Sequence, residues 1–250
     1  MMFSFLDDAA QWWLFILLVL WIVFLFGGML FGKLNADATH RSPRWSRMIS
    51  SLILVIAAWS WYSFGQAISD TGFALLLAIG MLLGFVGDLF MAGLIPIGQS
   101  VLNGMLSFGL GHIVYIAALI NYGNIARLDD PGILWGSLFV WLAFGGIGWY
   151  LIVFRGQSRT LLHYAALPYA LLLASTAGVA TGLAIQMPTL FITALGAALF
   201  LLSDLLLAAQ LFNGVKFRLI GDVVWMLYGP AQMLIVYSIG IMLSHLVGLV

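Results

Sequence analysis

The sequence predicts an all-α polytopic membrane protein, a single domain over residues 1–250 built as a bundle of eight transmembrane helices with short loops. Three observations predict it. The chain is 64% hydrophobic and only 7% charged. A soluble domain carries about 25% charged residues, so this chain cannot cover a water-facing surface. Its mean hydropathy is +1.12. Its apolar residues gather into stretches of about 20, the length a helix needs to cross a bilayer. A barrel would instead show alternating strands of about ten residues.

Each span has its own boundaries. The first, about 11–32, follows Asp7 and Asp8 and opens on Trp12 and Trp13. It lacks a basic leader region and is too long for a signal-peptide core. The second, about 48–67, follows a loop with Lys33, Arg41, Arg44 and Arg47. The third, about 73–92, begins after the short loop 69–72, and the fourth covers about 101–122. The fifth, about 133–154, has Trp135 and Trp149 near its ends, where interfacial aromatics belong. The sixth, about 162–184, follows Arg155 and Arg159. The loop 186–188 leads to the seventh, about 189–210, and Lys216 and Arg218 precede the eighth, about 219–247. Such short loops make consecutive helices antiparallel neighbours. No soluble domain, linker or short-period repeat is visible.

Charge orients the bundle. Eight of the nine Lys/Arg lie in the loops after spans one, five and seven; the other side holds Arg127 with Asp7, Asp8, Asp70, Asp129 and Asp130. The positive-inside rule places the basic loops in the cytoplasm and both termini opposite. The expected setting is a bacterial inner membrane. Net charge is zero and Cys is absent. That excludes a basic nucleic-acid surface, disulfides, thiolate metal sites and cysteine nucleophiles.

All nine acids are Asp. An ionised carboxylate at mid-membrane costs about 2.5–3.5 kcal/mol on insertion scales and defaults to a functional reading. Most of these Asp avoid that cost in loops. Asp88 in the third span and Asp204 in the seventh do not, and both lie about 15 residues from the outer end of parallel helices. Asp222 sits one turn into the last span, where solvated and functional readings are equally good. Other polar groups lie at compatible depths: Asn103, Ser107, His112 and Tyr115 in the fourth span, Tyr169 in the sixth, Ser203 in the seventh, Tyr228 and Gln232 in the eighth. Gly80, Gly84 and Gly87 form a small-residue stripe beside Asp88 that permits close helix approach. A lone intramembrane Asp can also serve packing, and His112 reads equally as a structural hydrogen-bonder or a chemical group.

No Ser/His/Asp triad is legible from order or spacing, and no Gly-x-Ser-x-Gly elbow is present. A hard-ligand site could draw only on Asp88, Asp204, His112 and His163; the expectation is no metal and no cofactor. Paired carboxyls fit better. Two of them in a low dielectric hold a proton between them, one donating it and the other staying ionised. That suits acid-initiated hydrolysis through an oxocarbenium ion, and equally a proton relay in a transporter.

Four blocks occur in order. They are Gly87-Asp88-Leu89-Phe90-Met91; Phe108-Gly109-Leu110-Gly111-His112-Ile113-Val114-Tyr115; Gly196 to Ala208 with Phe200, Ser203 and Asp204; and Tyr228-Gly229-Pro230-Ala231-Gln232. With them the chain resembles the YhhN family of eight-helix membrane proteins, the lysoplasmalogenases. Gly229-Pro230 and Ser175-Thr176 stand where that family has a bulky residue and a Met. The resemblance implies hydrolysis of the vinyl ether of a lysophospholipid entering from the bilayer, giving a fatty aldehyde and a glycerophospho-ethanolamine or -choline. It implies Asp88 and Asp204 as catalytic acid and base. Asn103, His112, Tyr115, Tyr169, Ser203, Asp222, Tyr228 and Gln232 would hold water, the carboxyls or the glycerol backbone. Arg155, Arg159, Lys216 or Arg218 would meet the phosphate. The alternative is a proton-coupled transporter of a small molecule or lipid, with Pro96, Pro168 and Pro230 interrupting its helices.

Overall fold

The computed structural model describes residues 5–66, 71–155 and 160–248. Asp70, Arg159 and the predicted end of the second span at residue 67 lie outside the described residues. Among the described residues eight helices are long and apolar enough to cross a membrane. They are α1 (Asp8–Phe31), α2 (Arg44–Gly65), α3 (Gly72–Met91), α4 (Ser100–Ala126), α5 (Pro131–Trp149), α6 (Leu161–Gln186), α7 (Phe191–Asn213) and α8 (Ile220–Val247). A π turn, Tyr150–Phe154, prolongs α5, and a 3-10 turn, Pro188–Leu190, leads into α7.

The predicted spans agree with these helices to about one turn. One difference matters: α2 starts at Arg44, not near residue 48, so Arg44 and Arg47 are helical rather than loop residues. Loop acids have work at helix starts. Asp7 accepts the Ala10 N–H at 2.7 Å and Asp130 the Ile133 N–H at 3.0 Å, each satisfying an orphan donor of a first turn. Pro168 and Pro230 lie inside α6 and α8, and neither helix is broken there. Pro96 lies in the loop between α3 and α4.

Consecutive helices pack as neighbours except α4 and α5, where the short loop does not bring the two helices together as expected; two longer-range pairs, α2 with α8 and α4 with α6, close the bundle. This scheme repeats. In the first four helices α2 packs on α1 and α3; in the last four α6 packs on α5 and α7, and each of α2 and α6 also meets the final helix of the other half. Asp88 on α3 and Asp204 on α7 therefore occupy equivalent places in two like-oriented halves. α1 buries only one stripe, Ala10, Leu14, Leu17, Trp21 and Leu25, at helical spacing. α5 buries only Ser137 and Gly145. Their remaining faces are apolar and exposed, as lipid contact allows.

The glycine stripe of α3 makes room for side chains of neighbouring helices: Tyr115 at Gly80, Gln232 at Gly84 and the Phe108 ring at Gly87. A Cβ on Gly84 would lie 2.7 Å from Gln232 Nε2, and one on Gly80 would run into the Tyr115 ring. Gly84→Ala is expected to displace the Gln232 amide and cost about 1–3 kcal/mol. Thermal unfolding in detergent, compared with an Ala placed at the unobstructed Gly136, checks this.

Candidate active site

The site lies toward the end of the bundle that carries the basic loops, where α2, α4, α6 and α8 begin and α3 and α7 end. A cavity of about 320 Å³ opens there, and both Asp88 and Asp204 line it, with Arg47, Trp225, Tyr228 and Gln210. A narrower apolar pocket of about 60 Å³ adjoins it among α4, α5, α6 and α7. The two share Met91, Phe108, Asp204 and Leu207 as walls. Asp204 thus stands where a cavity of mixed lining meets a nearly wholly apolar one.

Asp88 is 4% exposed. Its Oδ2 accepts the Ser51 hydroxyl at 2.5 Å and the Tyr228 hydroxyl at 2.9 Å. Tyr228 has one proton and spends it on Asp88, so its oxygen accepts from Gln232 Nε2 at 3.2 Å. That fixes the Gln232 amide: its Oε1 faces Tyr115, whose hydroxyl donates at 2.9 Å. Tyr115, Gln232 and Tyr228 form one relay from α4 through α8 to Asp88 on α3. Asp204 is partly exposed to the cavity. Its Oδ2 accepts the Tyr169 hydroxyl, and Ser203 lies 3.3 Å from its Oδ1 while bonding the Phe200 carbonyl at 2.8 Å. Each carboxyl therefore receives a hydroxyl from the preceding helix of its own half, Ser51 from α2 and Tyr169 from α6.

Not every polar residue singled out from the sequence joins this cluster. His112 is buried one layer away, its Nδ1 held by Thr176 Oγ1 at 2.9 Å and its ring edge-on to Phe200 at 4.4 Å. Thr176, a departure from the family pattern, thus has a definite task. His163 caps α6 through Thr160. Among the described residues no three His or Asp side chains converge as a metal-binding group. Asn103 donates to the Ile97 carbonyl at 2.5 Å and closes the loop between α3 and α4. Ser107 bonds the Leu83 carbonyl at 2.7 Å and ties α4 to α3.

Asp222 is 1% exposed and is neither solvated nor turned to the cavity. It accepts the Arg41 N–H at 2.6 Å, the Ser42 N–H at 3.1 Å and the Ser42 hydroxyl at 2.5 Å. It pins the loop after α1 to the start of α8. Arg155, Lys216 and Arg218 are exposed and none lines the cavity.

Two residues of the site have no counterpart among the sequence candidates. Ser51 and Arg47 stand four residues apart on α2, hence on one face. Arg47 lies over the Trp225 ring, with Cζ 5.4 Å from the centroid. That polar i, i+4 pair was a legible signal, hidden by starting the helix one turn late. His40 also lines the cavity. Burial, and then the charge of Arg47, hold its imidazole below the usual histidine range.

An eight-helix membrane bundle with two intramembrane carboxyls facing one cavity is the class of protein this fold and site define. The chain belongs to the YhhN family: the family's sequence model matches residues 42–239. No curated protein and no solved structure matches it.

Proposed function

We propose that this chain hydrolyses the vinyl ether bond of lysoplasmalogens within the membrane, as the lysoplasmalogenase activity associated with its family suggests. The observation that carries this reading is the meeting of Asp88 and Asp204 on one cavity that continues into an apolar pocket. Vinyl ethers hydrolyse by protonation of the β-carbon. The resulting oxocarbenium ion adds water, and the hemiacetal collapses to an aldehyde and the freed glycerol hydroxyl. One carboxyl must arrive protonated and the other ionised, to stabilise the cation and take the proton of the attacking water.

The β-carbon belongs to the lipid tail. Asp204 borders the apolar pocket, which supports its assignment as the proton donor. Asp88 receives two hydroxyl donors on one oxygen and lines the wider cavity but not the apolar pocket, and it is assigned to the cation and the water. The tail would occupy the pocket walled by Val153, Leu173 and Leu211.

The direct test offers purified protein in detergent a vinyl-ether lysolipid and its ester counterpart. Aldehyde release from the first, without fatty acid from the second, is the expected result. Asp88-dependent flux across liposomes with no lipid turnover would establish a transporter in its place. The unbroken course of α6 and α8 through their prolines supports the enzyme, because many secondary transporters build their sites from discontinuous helices.

A further inference from the structure

We infer that Arg47 is the phosphate-recognition residue of the site, selecting lipids that carry a phosphoester over phosphate-free ether glycerols. Among the described residues Arg47 is the one Lys or Arg lining the cavity that holds Asp88 and Asp204. The face of its guanidinium is spent on Trp225. Among the described residues its Nε is buried with no hydrogen-bond partner. A guanidinium that lines a cavity with a donor left unpaired offers the planar fork that phosphate oxygens match. Asp222 and Asp88 act on Arg47 through their charge, but the hydrogen bonds they accept come from other groups. Asp222 spends both oxygens on Arg41 and Ser42, and Asp88 accepts from Ser51 and Tyr228.

Spacing agrees with the chemistry. Arg47 lies one turn nearer the basic end of α2 than Ser51, which bonds Asp88; four residues rise about 6 Å. From the ether oxygen of a lysoplasmalogen to its phosphorus there are about five bonds, which extend to about 6 Å at ordinary bond lengths. A substrate with its vinyl ether at the carboxyls therefore brings its phosphate to Arg47, with the headgroup toward the interface and the tail toward the apolar pocket. The exposed cations Arg155, Lys216 and Arg218 do not reach this cavity.

The inference rests on the lysophospholipid reading, so its test reads binding rather than turnover. The probes are a saturated 1-O-alkyl glycerophosphoethanolamine, which cannot be hydrolysed by this route, and the matching 1-O-alkylglycerol, measured by calorimetry in detergent. Wild-type protein should bind the phospholipid about 10- to 100-fold more tightly, the weight of a charge-assisted hydrogen bond. Arg47→Gln should erase that preference and leave alkylglycerol affinity unchanged, and Arg47→Lys should keep part of it. Equal loss for both probes in both variants, or an undiminished preference in Arg47→Gln, overturns the assignment. Inorganic phosphate competing as effectively as the lipid would give the site to free phosphate and overturn the headgroup assignment. If the saturated phospholipid binds through Arg47 while the vinyl ether is not cleaved, the hydrolase reading fails and the phosphate site stands.

Discussion

Asp88→Asn and Asp204→Asn should each lower aldehyde release by about 10²- to 10⁴-fold, the usual weight of a general acid or base, while the protein stays folded. The hydrogen bonds explain why folding survives. Both donors to Asp88 fall on Oδ2, so an Asn that sets its carbonyl oxygen there keeps both. At Asp204 the Tyr169 hydroxyl can still reach a carbonyl oxygen, and Ser203 already has the Phe200 carbonyl as its nearer acceptor. Neither Asn can transfer a carboxyl proton or carry the negative charge a cation requires. The measurement is turnover of a vinyl-ether lysolipid alongside thermal unfolding of the same preparations. Undiminished turnover in both variants would sink the two-carboxyl mechanism. A transport role would leave hydrolysis absent in the wild type as well.

Asp222→Ala should do the reverse, destabilising the protein by about 3–5 kcal/mol, since each buried donor left without an acceptor costs about 1–3 kcal/mol. Three donors lose their acceptor together: the Arg41 and Ser42 N–H groups and the Ser42 hydroxyl. Ser42 is fully buried, so water does not readily replace the carboxylate. The loop released by this change also carries Thr39 and His40, which line the cavity, so weaker lipid binding should accompany the lower unfolding temperature. A variant that unfolds like the wild type yet loses turnover would move Asp222 from scaffold to chemistry. With the Asn variants, this comparison separates two kinds of buried Asp that look alike in one dimension.

Their likeness in the sequence has a physical cause. Hydropathy reports how much a segment costs to place in lipid, and each of the three acids interrupts an apolar run. It does not report which neighbours satisfy the acid. Asp222 finds main-chain donors in a loop 180 positions away in sequence, and nothing local to α8 encodes that. His112 stands at a credible depth, but the packing of α4 on α6 turns it to Thr176 rather than to the cavity. Asn103 is drawn off by a loop carbonyl. Tyr228, expected to hold water, a carboxyl or the glycerol backbone, donates directly to Asp88. Arg47 read as a topology signal because it sat among basic loop residues; one more helical turn on α2 makes it part of the wall.

The sequence by itself determined the class, the span boundaries to about a turn, and the two acids most in need of explanation. It could do so because bilayer thickness and charge insertion are one-dimensional constraints, felt segment by segment. The tertiary structure decided which groups meet. Two halves with the same packing scheme bring Asp88 and Asp204 to one cavity. Ser51, Tyr169 and Tyr228 are assigned to the carboxyls by helix neighbours rather than by spacing. Side-chain hydrogen bonds act over about 3 Å, and helices distant in sequence reach that range only once the bundle has closed.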